Sequence, residues 1–309
     1  MACVDQQHLQ RPMESHTRRG DRSPIHPGRF PAHMPDALGG QPSHYLDERL
    51  IEGGTCAPAG DACHQGYFRR MRPTALITGA SRGLGAAIAR ELHPTYDLLL
   101  GARTERALTE ILFELPGATG LPVELCDFDA VADAVRGIDR LDVLVHNASV
   151  ISLGLVAEST VAQWRKTLET NVIAVAELTR LLLPALRVAE GHVVLINSTA
   201  GLQAYDRWST YAASKFALRA FADALRLEEP QLRVTSIHPG RIDTDMQKTI
   251  IELERKTYNP AEYLTPQSVA RAVRQALETP LDAHPTMVVL RQIPRDTPER
   301  APGVRPTTC

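Results

Sequence analysis

Three side chains pose the chemical question. The stretch "YAASK" puts Tyr211 and Lys215 four residues apart, so on a helix both project from one face. A YxxxK match is common and by itself reads as a surface pair. Thirteen residues earlier, however, "INSTAG" places Ser198 just past an apolar run, at the end of a strand where ligands bind in open α/β sheets. A free tyrosine has a pKa of about 10, too high to cycle easily near neutrality. A lysine cation at about 4 Å contributes on the order of 4 kcal/mol at an effective dielectric of about 20, before desolvation is subtracted. Since about 1.4 kcal/mol is one pKa unit, such a neighbour lowers a phenol by a few units. A phenol so tuned can act as the acid beside a carbonyl oxygen, or as the base in the reverse direction.

A second constellation begins at Thr74, where "TALITGASRGLGAAIAR" reads as strand, glycine-rich turn and helix. Gly79, Gly83 and Gly85 are spaced GxxxGxG. Glycine takes positive φ and lets a phosphate approach the backbone with no Cβ in the way, at the helix N-terminus where anions are favoured. The spacing is neither GxGxxG nor a P-loop. The strand before and helix after it supply the context a dinucleotide site needs. At the end of the next strand "LLLGARTER" carries Arg103 and no acid; an NAD site usually places Asp or Glu there, whereas a 2'-phosphate wants arginine. Arg82, inside the glycine turn, can reach the same dianion. The pattern predicts NADP(H) over NAD(H), against the plainer reading of two solvated surface arginines.

These groups need elements to hold them. The runs "TALIT", "DLLLGA", "PVELC", "LDVLVHN", "HVVLIN", "RVTSIHP" and "TMVVL" are short, apolar and mostly unalternated, as strands buried on both faces are. Helical patterns separate them: "LGAAIARELH" up to Pro94, "RALTEILFEL" up to Pro116, a long helix from about Val161 to Leu186, another from Tyr211 to Glu229, and "PQSVARAVRQALE". Thr160 with Gln163 forms a capping box, and Thr265 before Pro266 an N-cap with proline at the first helical position. Alternating strands and helices predict an α/β Rossmann-type fold, a doubly wound parallel sheet of about seven strands with helices on both faces.

The 309 residues, 43% hydrophobic and 23% charged with a formal charge of -2, fit a globular chain with a sizeable core. That balance gives no basic field for nucleic acid or anionic lipid, and no apolar run is long enough for a membrane span. Five scattered cysteines argue against a disulfide framework and for a reducing, cytoplasmic location. Cys56, Cys63 and His64 lie close together, but no second ligand pair follows at zinc-like spacing, so no metal is expected. Residues 1–71, rich in Pro, Gly, His and Arg, are expected to be a disordered extension, with Met71 a candidate physiological start. Residues 72–295 form the expected domain, and residues 296–309 a flexible tail.

Taken together, "TGASRGLG", Asp127 after the third strand, "HNAS", Asn171 in "ETNVIAV", Ser198, "YAASK" and "HPGRIDTDM" resemble the short-chain dehydrogenase/reductase family in its single-domain form, from about Thr74 to Ile293. Ser149 stands where that family usually has glycine, and only a local packing difference is expected there. The resemblance implies a catalytic tetrad of Asn171, Ser198, Tyr211 and Lys215, in which Ser198 holds the substrate oxygen, Asn171 anchors a water-linked proton path and Lys215 also bonds the nicotinamide ribose. It implies cofactor contacts from Gly79, Ser81, Arg82, Gly83, Leu84, Gly85 and Arg103, from Asp127 at the adenine, from Asn147 and Ala148, and from Pro239, Gly240, Ile242 and Thr244 around the carboxamide. From spacing alone Asp127 is equally a helix cap and Asn147 a strand-end cap. The family also implies a homodimer or homotetramer through the outer faces of the helices bearing Ile173, Val175, Leu178, Leu181, Leu182 and Phe216, Leu218, Phe221, Leu225. Residues Val150 to Leu155, Gln203, Tyr205, Arg207 and Trp208, and the segment after Thr244, are expected to line a pocket whose carbonyl or alcohol substrate they do not identify. Two rivals remain on this fold: an NADP(H)-sensing regulator with little or no turnover, and an isomerase or dehydratase that retains its nicotinamide.

Overall fold

The computed structural model describes residues 72–293. Seven strands pair in parallel in the order β3-β2-β1-β4-β5-β6-β7: β1 (Thr74–Ile77), β2 (Asp97–Ala102), β3 (Thr119–Pro122), β4 (Val143–His146), β5 (His192–Ile196), β6 (Arg233–Pro239) and β7 (Met287–Leu290). Ile77 lies opposite Leu100 on one side and Val145 on the other. The chain therefore winds outward from β1 to β3, then returns to β4 and winds the other way. The reversal opens a crevice beyond the carboxyl ends of β1 and β4, where such sheets bind ligands.

The helices are α1 (Gly83–Leu92), α2 (Glu105–Glu114), α3 (Phe128–Val135), α4 (Val161–Leu168), α5 (Ala174–Ala189), α6 (Ser209–Glu228), α7 (Asp245–Leu253) and α8 (Pro266–Glu278). Successive strand residues face opposite sides of the sheet. Accordingly Ile77 and Leu100 pack with Ile88, Leu108 and Val273 on one face, whereas Leu76, Leu144 and Val193 pack with Val131, Leu182 and Leu218 on the other. Each such side chain, fully buried, contributes roughly 1.5–3 kcal/mol. The Thr160–Gln163 capping box and the Thr265 cap before Pro266 both form.

Two elements depart from the sequence expectation. The third strand is not "PVELC" but Thr119–Pro122, paired with Leu99–Ala102. It is an edge strand with every residue at least partly exposed, so pairing to β2 rather than apolar burial sets its register. The long helix from Val161 is not continuous: a π-helical turn, Glu169–Ile173, separates α4 from α5. Such a turn inserts one residue into the ladder and often marks a functional site; apolar periodicity does not register it. Helices α3 and α7 had no counterpart in the sequence reading. Of the apolar residues expected over more than one face of these helices, Ile173 and Phe216 are exposed, and Val175, Leu178, Leu182, Leu218 and Leu225 belong to the core. Residues 1–71 and 296–309, including Cys56, Cys63 and His64, lie outside the described residues. Among the described residues no helix is long and apolar enough to cross a membrane.

Candidate active site

The crevice is a cleft of about 1510 Å³. Its floor begins with the turn between β1 and α1. Gly79 and Gly83 have φ of 65° and 56°, conformations costly for other residues. A Cβ on Gly85 would lie 2.1 Å from the Gly79 carbonyl oxygen and 2.6 Å from Asn147 Nδ2. Helix α1 has no side-chain cap and no acid in its first turn, which leaves its N-terminal N–H groups to an anion. Asn147 fastens the turn: its Nδ2 donates to the carbonyls of Thr78 at 2.9 Å and Gly79 at 3.1 Å. Thr78 Oγ1 in turn accepts from the backbone N–H groups of Asn147 and Ala148. Thr78 was not singled out from sequence; its place one residue before Gly79 was the only signal.

Ser81, Arg82, Gly83, Leu84, Gly85, Arg103, Asn147, Ala148, Pro239, Gly240, Ile242 and Thr244 all border the cleft. Arg82 pairs across it with Asp245 at 3.1 Å, and Thr244 caps α7 with its Cγ2 3.5 Å from where a Gly83 Cβ would stand. Asp127 is not among the cleft residues; its carboxylate accepts from Ala130 N at 3.1 Å and caps α3.

At the other end, Ser198, Tyr211 and Lys215 line the cleft. Asn197 sets Ser198 in place by accepting from its backbone N–H at 2.9 Å while donating to the Lys215 carbonyl at 3.1 Å. His238 Nδ1 lies 2.9 Å from the Ser198 carbonyl oxygen, and since a carbonyl can only accept, Nδ1 carries the proton. Tyr211 is 7% exposed and lines the cleft together with Ser198 and Ser149. Trp208 meets the ring edge-on, with centroids 5.8 Å apart.

Electrostatics here differ from the sequence expectation. Burial pushes the Tyr211 phenol up to about 12, with the Ser198 and Ser149 hydrogen bonds opposing it. Burial brings Lys215 down to about 7. Lys215 Nζ donates to the Ile196 carbonyl at 3.0 Å and sits 5.6 Å from the Tyr211 ring centroid. The amine is therefore committed to the strand end, and desolvation of both groups outweighs their mutual field.

Asn171, 1% exposed, lies behind the cleft in the π-helical turn. Its Oδ1 accepts from Val150 N at 2.9 Å and Ser149 Oγ at 3.1 Å. Its Nδ2 donates to the Val150 carbonyl at 2.9 Å and Ser214 Oγ at 3.0 Å. Ser149, expected to alter only packing, thus hydrogen-bonds Asn171. Of the expected pocket residues, Val150, Ile151, Leu153, Tyr205, Arg207 and Trp208 line the cleft, as do Met246 and Gln247; Ser152, Gly154, Leu155 and Gln203 do not.

A parallel sheet wound about a β1/β4 crevice, with a glycine cradle at one end and a Ser–Tyr–Lys cluster at the other, is the layout of a dinucleotide-dependent oxidoreductase. Residues 73–255 match the family model for short chain dehydrogenase, and the chain belongs to the short-chain dehydrogenase/reductase family. An uncharacterized short-chain type dehydrogenase/reductase of Sinorhizobium fredii is 32% identical over 67% of this chain and 86% of its own length. A glycine betaine reductase of Emericella nidulans is 34% identical over 72% of this chain, which spans 19% of that larger protein. The X-ray structure of an alcohol dehydrogenase from Thermococcus sibiricus complexed with 5-hydroxy-NADP is similar with a TM-score of 0.66 at 28% identity, covering 72% of this chain and 99% of that one.

Proposed function

We propose that the protein is an NADP(H)-dependent oxidoreductase that interconverts a carbonyl and a secondary alcohol, with Tyr211 as the acid/base. The carrying observation is the buried Tyr211 phenol at the cleft wall, flanked by Ser198 and on the same helical face as Lys215. The cradle fits the cofactor: positions where a Cβ would meet backbone at 2.1 Å and an uncapped α1 N-terminus leave room and donors for a pyrophosphate. Arg82 and Arg103 would hold the 2'-phosphate. Asn147 and Ala148 would line the dinucleotide's path, and Pro239, Gly240, Ile242 and Thr244 the carboxamide. NADP supplies the hydride or takes it up.

The chain's own residues do the rest. Ser198 Oγ presents a donor to the substrate oxygen, and Tyr211 delivers the proton to that oxygen in reduction or removes it in oxidation. Lys215 holds the Ile196 carbonyl end of β5 against α6 and keeps a donor at the cleft floor. Ile151, Leu153, Trp208 and Met246 exclude water from one wall. A homodimer or homotetramer is proposed on the exposed Ile173 and Phe216, and a reducing, cytoplasmic location on the scattered thiols.

The test is NADPH oxidation against ketones, aldehydes and 3-oxoacyl thioesters, with NADH and the Tyr211→Phe variant in parallel. Turnover with NADPH falling by about 10²–10⁴-fold in the variant is expected, the usual worth of a positioned acid. Equal turnover in the variant would end the tyrosine mechanism. Tight NADPH binding without turnover on any substrate would favour a cofactor-sensing regulator.

A further inference from the structure

The proposed reaction uses few of the cleft's cations: Arg82 and Arg103 for the 2'-phosphate, and Lys215 at the floor. Arg207, Arg241, Arg255 and Lys256 line the cleft as well, and they belong to the end where Tyr211 stands. The Trp208 ring lies 5.8 Å from the Tyr211 ring, and Arg241 Cζ lies 5.6 Å from the Trp208 ring. Arg207 directly precedes Trp208 in the chain. Glu254 holds Arg241 through two hydrogen bonds, of 2.5 and 3.0 Å, and so brings the adjoining Arg255 and Lys256 to the same wall.

The carboxylates of that wall do not balance its cations. Glu254 is shared, since Lys256 Nζ also reaches its Oε2 at 3.2 Å. Arg207 reaches Glu158 at 3.7 Å with both side chains more than half exposed, a weak pair, and Asp206 is the other carboxylate on the wall. No ion pair joins Arg255 to another of the described residues. The backbone adds an independent sign. Three described residues other than glycine have positive φ, Glu190, Arg207 and Arg255, and both arginines line the cleft. Arg255, at φ 55°, follows the last turn of α7. Its N–H donates to the Glu252 carbonyl and the Lys256 N–H to the Ile251 carbonyl, each at 3.1 Å, the helix-closing arrangement in which glycine usually takes this place. An arginine held where glycine would be less strained points to a task for its side chain. Its charge also suits the carbonyl end of α7, so binding and stability must be measured separately.

We propose that Arg255 and Lys256, with Arg241 and Arg207 adding to their field, form an anion subsite at the substrate end of the cleft, and that the substrate is a carbonyl compound carrying a carboxylate or phosphate. The Trp208–Arg241 stack stands between Tyr211 and this subsite, so the anionic group sits several bonds from the reacting carbon. A guanidinium fork suits either anion, because both present paired oxygens to it. The inference rests on the carbonyl chemistry proposed at Tyr211 and names the substrate class for it.

Levulinate and its longer oxo-acid homologues, their uncharged methyl esters and the matching oxoalkyl phosphates are assayed as substrates of the full chain. The same compounds are titrated calorimetrically as ligands, with and without NADP⁺, and wild type is compared with Arg255→Gly and Arg255→Lys. At the fitting chain length the anion is expected to exceed the ester by about tenfold in kcat/KM, chiefly through KM, as one charge-assisted hydrogen bond is worth. Arg255→Gly should lose that preference and Arg255→Lys retain part of it. In urea, Arg255→Gly should be at least as stable as wild type, since glycine relieves the left-handed backbone. Anion and ester treated alike by wild type in both arms, or a preference untouched in Arg255→Gly, would overturn the subsite; a loss of stability alone in that variant would assign the arginine to the helix end. Arginine-dependent binding of the anions with no ketone turned over would end the carbonyl-reductase reading and leave the subsite standing. Turnover of acids and esters at equal rates would do the reverse.

Discussion

At Tyr211 and Lys215 burial favours the neutral form of both side chains, with the phenol raised to about 12 and the amine lowered to about 7. The hydroxyls of Ser198 and Ser149 are what pull the phenol back. A protonated phenol is the form that the proposed reduction requires, so on that proposal the resting site is charged with its acid. Arg103 raises a different question, because the task proposed for it is discrimination rather than chemistry. It stands immediately after β2, where an acid would favour the ribose hydroxyl of NAD, and is solvent-exposed beside the cleft. Arg103→Ala is expected to raise KM for NADPH by about 10–100-fold, the worth of a charge-assisted hydrogen bond of roughly 1.5–3 kcal/mol, with KM for NADH nearly unchanged. Initial rates with the two cofactors check this; an unaltered NADPH/NADH ratio would remove Arg103 from the phosphate site.

The glycine turn before α1 and the N-terminus of α7 are 163 residues apart in sequence and meet through Arg82 and Asp245. Lys248 also pairs with Asp245 at 3.2 Å, so the carboxylate, held below the usual range first by Lys248 and then by Arg82, does not depend on the arginine. Arg82 is therefore the partner that can leave. Asp245→Asn is expected to tighten NADPH binding by about two- to fivefold, as befits an exposed pair; weaker binding in a fluorescence titration would show that Asp245 positions Arg82 instead of competing for it. The elements themselves were largely legible: β1, β4, β5 and β6 are dense in branched residues because both faces are buried, and the caps at Thr160 and Thr265 are local chemistry. The third strand was misplaced because an edge strand takes its register from its neighbour. The break at Asn171 was invisible because a π turn is set by side-chain bonds to Val150 and Ser214, which no periodicity carries. At the site, Ser198, Tyr211 and Lys215 could be found from spacing and type. The Ser149–Asn171 bond could not, since it depends on two distant segments meeting.

Across the whole sheet the interior holds three buried histidines, His146, His192 and His238, of which His238 too is lowered, by burial first, and they bear on how the molecule responds to acid. His146, at the end of β4, bonds Thr179 Oγ1 at 2.9 Å, and burial holds it down at about 3. His192, at the start of β5, bonds Thr235 Oγ1 at 2.8 Å and is likewise down at about 3, through burial first and then the fields of Arg233 and His284. An unfolded histidine titrates near 6.5. Between about 6.5 and about 3 the unfolded chain thus binds more protons than the folded one, and stability falls as pH falls through that window. The stabilisation is fully present above the unfolded value and is lost towards the folded one. Lys215 acts mostly at higher pH: its value drops from 10.5 to about 7, so stability also falls with pH between those limits, and the step from 7.5 to 7 adds to the histidine effect. The carboxylates lowered by arginine partners, such as Glu254 beside Arg241, begin to matter only near and below their ordinary range. Lowering pH from 7.5 to 5.5 is therefore expected to cost about 2–3 kcal/mol, near 1.4 kcal/mol per histidine for each pH unit well inside the window. Urea denaturation at the two pH values measures it. The His146→Gln, His192→Asn double variant should lose most of that dependence. A wild-type protein equally stable at both values, or a double variant with an undiminished slope, would show that the buried imidazoles do not control acid unfolding.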